Sequence, residues 1–174
     1  MARLPILVAP DPRLKLKAKR VEAVDDALRT LMNNMLETMY DAPGIGLAAP
    51  QVAASVRVVV IDISKDGEPR APLRMVNPEI VWASDEDNTY EEGCLSVPEH
   101  YADVVRPARV RVRYTDETGQ ERQLEADGLL ATVVQHEMDH LDGVLFVDHL
   151  TSLKRNMILR KLQKAGKSTA GASL

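Results

Sequence analysis

At 174 residues with 45% hydrophobic content, the chain is long enough to bury one substantial core and too short for two, so a single domain spanning 1–174 is expected. A formal charge of −4 and only 3% aromatic residues speak against nucleic acid as the main partner, and no direct DNA binding is expected. No apolar run could span a bilayer, LPILVAP near the N-terminus lacks a cleavage signature, and a lone cysteine cannot form an internal disulfide, so a cytoplasmic setting without a membrane partner is expected.

Between Asp25 and about Met39, Leu28, Leu31, Met32, Met35, Leu36 and Met39 recur at helical spacing, and Pro43-Gly44 stops the pattern, predicting a first helix. GIGLAAPQ (44–51) follows and contains G-x-G-x-x-A, the dinucleotide-binding pattern. Its context is wrong, because it follows a helix where a strand is required and Pro50 would interrupt the helix that should open there. Two readings remain open: a plain turn, or an extended segment whose bare backbone lies against a peptide while Gln51 offers an amide able to stabilise an oxyanion.

RVVVIDIS (57–64) is rich in β-branched residues and ends at Lys65-Asp66-Gly67, which predicts a buried strand. MVNPEIVW (75–82) reads as a weaker strand, demoted toward a sheet edge by Pro78. YEEGCLSVPEH (90–100) holds the single thiol, Cys94, beside Gly93, which lets backbone approach closely. ARVRVRY (108–114) alternates basic and apolar residues, turns at DETG and returns as QERQLEA (120–126), an antiparallel hairpin with one wet face. Next comes LLATVVQHEMDHLD, a helix that Asp127 can cap and Gly143 can end in the left-handed conformation. A last helix from about Thr151 to Ala165 carries Lys154, Arg155, Arg160, Lys161 and Lys164 without an acid, and a small-residue tail over about 166–174 is expected to be disordered.

In VVQHEMDHLDG (133–143), His136 and His140 lie about 40° apart on the helix surface, on the stripe that also holds Leu129 and Val133, and Glu137 borders them about 60° further round. Leu130, Val134, Met138 and Leu141 cover much of the other side, so the helix is central and its imidazoles need partners. Hydrogen-bonded core histidines are the bland account of either one alone. The pair with its adjacent glutamate points instead to a bidentate clamp for zinc or iron, with a carboxylate able to take a proton from water activated there.

Zinc peptidases complete this motif downstream with a histidine or a glutamate. Here Phe146 occupies the histidine position and no glutamate follows Glu137, leaving His149, Asp142 and Asp148 as downstream candidates. Cys94, upstream, is the better third ligand, and three protein ligands leave an open position suited to catalysis.

Taken together, GIGLAAPQ, EGCLS (92–96) and QHEMDH (135–140) resemble the three motifs of the peptide deformylases, in order, within a likeness that extends from PDPRL through the basic C-terminal helix. The resemblance implies an α+β fold in which antiparallel β-sheets surround the H-E-x-x-H helix, flanked by N-terminal and C-terminal helices. It implies hydrolysis of the formyl group from the N-terminal N-formylmethionine of nascent polypeptides, with release of formate. Carried over by residue, Cys94, His136 and His140 would bind one divalent metal, Glu137 would be the general acid and base, and Gln51 with the Leu95 backbone amide would hold the oxyanion. Gly44, Ile45, Gly46, Glu92, Gly93, Tyr101, Leu129 and Val133 would contact substrate, with Ile45, Leu129 and Val133 lining a methionine pocket and Glu92 paired with Arg106. Iron(II) would be the native ion, with zinc, nickel and cobalt as replacements. The basic helix reads as a solvated surface element, or, by the same resemblance, as a dock for the ribosome. The absence of a transit peptide favours a bacterial cytoplasmic enzyme. A metal-dependent peptidase and a non-catalytic metalloprotein are the competing classes; cleavage of unformylated peptides would mark the first, and a closed coordination shell the second.

Overall fold

The computed structural model describes residues 2–172, with side chains through residue 166. The first helix, α1 (Asp26–Asp41), starts where Asp25 accepts the Leu28 N–H on its carboxylate at 2.8 Å, and ends just before Pro43, as the spacing predicts. Strands β1 (Gly46–Ala48), β2 (Val58–Ile61), β3 (Leu73–Ala83), β6 (Arg109–Thr115) and β7 (Glu121–Asp127) form an antiparallel sheet in the order β1-β2-β3-β6-β7. A separate ribbon pairs β4 (Asp87–Cys94) with β5 (Val97–Pro107). Helix α2 (Gly128–Leu141) carries the two histidines, and α3 (Ser152–Ala172) closes the chain.

All four side chains of β2 are buried because both faces of the sheet are covered. Val58 and Val60 pack with Leu28, Met32, Met35, Leu36 and Met39 of α1, while Val59 and Ile61 pack with Ala131, Val133, Val134 and Leu141 of α2. Each such Val, Leu, Ile or Met side chain stabilises the fold by roughly 1.5–3 kcal/mol. A third cluster, with Leu14, Val97, Val104, Phe146 and Leu162, fills the space between the ribbon and α3. Helix α2 therefore lies between the sheet and the ribbon, which fixes where its histidines can point.

Several expectations are revised. The strand expected over 57–64 pairs only over Val58–Ile61; just beyond it the Asp62 N–H still donates to the Ile45 carbonyl at 2.9 Å, while its carboxylate accepts the Tyr40 hydroxyl at 2.5 Å and the backbone N–H groups of Ser64 and Ala71. The strand over 75–82 is no edge: β3 is the middle strand, paired with β2 on one side and β6 on the other. Pro78 is tolerated because β2 pairing stops at Val76 and the β6 register shifts between Val76 and Glu79, with Asn77 at φ +52°, so no ladder bond requires an N–H there. Asp127 takes the cap position of α2 without a side-chain cap bond. At the other end Gly143 adopts φ +75°, as expected, and a Cβ there would also strike the backbone of Lys15. The last helix is longer than the expected span from about Thr151 to Ala165, α3 running from Ser152 to Ala172; residues 173 and 174, at the end of the expected tail, lie outside the described residues.

The ribbon went unpredicted. Its sequence is polar and alternates poorly because much of it is exposed, with Glu92, Val97, Ala102, Val104 and Arg106 among the few side chains turned inward.

Candidate metal centre and peptide cleft

Three segments converge. Successive turns of α2 present His136 and His140, with ring centroids 5.1 Å apart and the rings edge to face. The end of β4 presents Cys94, where the ribbon register shifts between Glu92 and Cys94, a local irregularity that re-aims the chain. One donor atom from each of Cys94, His136 and His140 lies within 4.8 Å of the other two, and Cys94 Sγ is 3.4 Å from His140 Nε2.

The downstream candidates lie elsewhere. His149 Nε2 bonds Asp139 Oδ2 at 2.8 Å, Asp142 takes Arg57 at 3.0 Å, and Asp148 is paired with Lys15. Phe146, at the position where a peptidase would place a ligand, stacks on the His136 ring with centroids 6.1 Å apart.

The donor set fits a divalent cation. His136 has its Nδ1 bound to Glu92 Oε1 at 2.9 Å, which orients the ring and leaves Nε2 for a metal. Burial, reinforced by the positive charges of His136, Arg106 and Lys15, holds His140 well below its ordinary 6.5, in the neutral form that can donate a lone pair. Burial pushes His136 the same way, but Glu137, Cys94 and Glu92 outweigh it and draw positive charge to that ring. Burial also raises the Glu92 carboxyl, yet the bonds from His136 and Arg106 prevail and keep it below its ordinary 4.5.

Glu137 is 5% exposed, with Oε1 among the few buried side-chain atoms left without a hydrogen-bond partner. Burial foremost, with Glu92 and Asp139 adding to it against the opposing charges of His136 and Arg106, lifts its carboxyl to about 7, where it can both take and give a proton. Gln51, fully buried, accepts the Ala48 N–H on Oε1 at 2.9 Å and donates from Nε2 to Ser96 Oγ at 3.0 Å, with Cys94 Sγ at 3.5 Å. The N-terminal segment braces this corner, Leu7 N–H donating to the Gln51 carbonyl and Ala9 N–H to that of Ser96.

Two cavities open on the group. A cleft of about 550 Å³ runs past Gly44, Ile45, Gly46, Gln51, Gly93, Cys94, Leu95 and Tyr101 to His136 and Glu137. A narrower one of about 100 Å³ is lined by Ile45, Leu129 and Val133 together with Tyr90, Glu92, Gly93 and Thr132. Strand β1 is the edge of its sheet, paired only with β2, so the GIGL backbone borders the cleft as an extended segment and not as a plain turn. The expected site residues thus come together, although Glu92 turns its carboxylate to His136 and Arg106. Sequence reasoning missed Ser96, Tyr90 and Thr132. Thr132 could have been found from helical spacing, since it sits one turn before His136; Ser96 and Tyr90 carry no local signal.

Comparison with known proteins supplies what geometry cannot. The profile of the family described as polypeptide deformylase matches residues 3–156. A protein named peptide deformylase from Brucella suis is 54% identical over 170 residues, covering 98% of this chain and 97% of that one. Among solved structures, a peptide deformylase from Ehrlichia chaffeensis superposes with a TM-score of 0.93 at 38% identity, covering 97% of this chain and 99% of the other. A structure of peptide deformylase from that organism in complex with actinonin gives 0.91 at 40% identity, covering 95% and 98%.

Proposed function

Because the chain belongs to the polypeptide deformylase family, we propose that it carries out the family's reaction with Cys94, His136 and His140 as metal ligands and Glu137 as general acid and base. The protein is a metal-dependent hydrolase that removes the N-formyl group from nascent peptides. The observation that carries the residue assignment is the meeting of one thiol and two imidazoles beside a buried carboxyl that titrates near neutrality.

A divalent cation held by the three ligands would acidify water and polarise the formyl carbonyl. Glu137 takes the proton of the attacking water and returns it to the departing amine. Gln51 Nε2 and the Leu95 N–H stabilise the oxygen that gains charge. The Gly44–Gly46 backbone pairs with the substrate chain, with Gly93 on the opposite wall, and the pocket of Ile45, Leu129 and Val133 takes the methionine side chain. Iron(II) is the proposed native ion, since a thiolate and two imidazoles suit iron(II) as they suit zinc. The proposed setting is the bacterial cytoplasm; among the described residues no helix is long and apolar enough to cross a membrane.

Formate release from a formyl-methionyl peptide by anaerobically prepared iron-loaded protein tests the assignment. Cys94→Ser should lose both metal and release; release retained by that variant would remove Cys94 from the centre, and none from the metal-loaded parent would mean that the cleft takes another substrate.

Ribosome docking through α3 is part of the same reading. Lys154, Arg160, Lys161 and Lys164 are exposed, whereas Leu162 packs into the third cluster, so deletion of the helix would also open the core. Joint Lys154→Glu, Arg160→Glu and Lys161→Glu substitution is the cleaner test, expected to weaken ribosome binding by roughly tenfold or more at moderate salt while sparing turnover of a short peptide. Undiminished ribosome affinity would retire the idea.

A further inference from the structure

The polar chain behind His136 does not stop at Glu92. Arg106, only 5% exposed, donates Nε to Glu92 Oε2 at 2.7 Å and Nη2 to Glu92 Oε1 at 3.0 Å, a two-pronged grip on the carboxylate that in turn holds His136 Nδ1. Its third nitrogen, Nη1, donates to Asp139 Oδ2 at 2.8 Å, and the same oxygen receives His149 Nε2 at 2.8 Å. Asp139 sits between the two histidines in the α2 sequence, while His149 is carried by the 3-10 turn Phe146–His149. The outer end of the chain faces a cavity of about 450 Å³ separate from the peptide cleft, lined by Arg57, Arg106, Gln135, Asp139, Asp142 and His149.

A guanidinium is planar and its donors are fixed relative to one another, so its third bond sets the plane in which it presents the other two. A buried cation held at one edge only can pivot, and the carboxylate it grips pivots with it. We propose that Asp139 and His149 are positioning residues for the metal ligand His136, fixing its ring through Arg106 and Glu92. The inference rests on the reading of His136 as a ligand. Neither Asp139 nor His149 lines the peptide cleft or the narrow pocket, so their effect falls on the metal and on turnover and leaves substrate binding alone.

The test uses cobalt(II) bound to the full-length protein, followed by its visible spectrum and its rate of loss to a chelator. Asp139→Asn should shift the cobalt bands and weaken metal retention by about tenfold, in the range found when a residue behind a metal ligand is changed, and should lower kcat with KM for a formyl-methionyl peptide unchanged. His149→Ala, at an exposed site outside the core, should move the same readouts in the same direction by less, and His149→Gln, which can still donate to Asp139, should restore them. An unchanged cobalt spectrum and off-rate in both Asp139→Asn and His149→Ala would overturn the proposal, even with a lowered Tm, because a merely structural role predicts that pattern. Should the parent protein show no thiolate-to-cobalt charge-transfer band, the ligand assignment and this inference would fall together.

Discussion

Replacing Glu137 by glutamine is expected to lower formate release from a formyl-methionyl peptide by about 10³-fold, within the range a general acid-base group supplies, with one divalent metal still bound per chain. The substitution conserves shape in a site where the side chain is 5% exposed and packed against β1, so the fold has no reason to change. It replaces the basic carboxylate that would receive the proton of the attacking water with an amide oxygen that accepts hydrogen bonds but is too weak a base to take a proton. Because burial holds the native carboxyl near 7, that group is poised both to accept this proton and to return it to the amine, whereas an amide does neither. A variant within tenfold of the parent rate, with metal confirmed, would take Glu137 out of this role.

Gly46→Ala should reduce kcat by about 10²-fold, the scale expected when a catalytic group is displaced by about an ångström. An ideal Cβ at Gly46 overlaps the Glu137 carboxylate oxygen and lies 2.8 Å from its Cδ and 2.9 Å from its Cγ, all closer than real contacts allow. Gly46 pairs with Ile61 at the start of β1, so its backbone is held and the carboxylate must be the one to move. Metal content should stay at one per chain, since the three atoms nearest the added methyl all belong to Glu137 and none to a metal ligand. Parent-like kcat would show that Glu137 tolerates the shift and that its position is less constrained than the packing suggests.

What could be read in the chain follows the range over which each signal acts. His136 and His140 share a face because helical periodicity is a local property, and the apolar residues around them are enough to show that this helix is central. The same locality made α1, the β6–β7 hairpin and Gly143 readable. Gln51 could be read as a donor only with an alternative beside it, since nothing in GIGLAAPQ states that β1 is left as a sheet edge; the edge exists because β2 fills one side and the cleft the other. Pro78 misled for a related reason, because its cost depends on a register shift in a partner strand more than thirty residues away.

By itself the sequence determined the pair of imidazoles, the glutamate beside them, the single available thiol and the class of chemistry these imply, because residue type and helical spacing suffice for that. Tertiary structure decided among the remote partners. Cys94 reaches the histidines while His149, Asp142 and Asp148 are taken up by Asp139, Arg57 and Lys15, an outcome set by the ribbon packing across α2 and by the 3-10 turn after it being pinned under α3. It also decided that Glu92 serves His136, and that Arg106 and Asp139 stand behind it. Such bonds join segments far apart in the chain, and their partners are chosen by how three apolar clusters close around one helix, which no local pattern encodes.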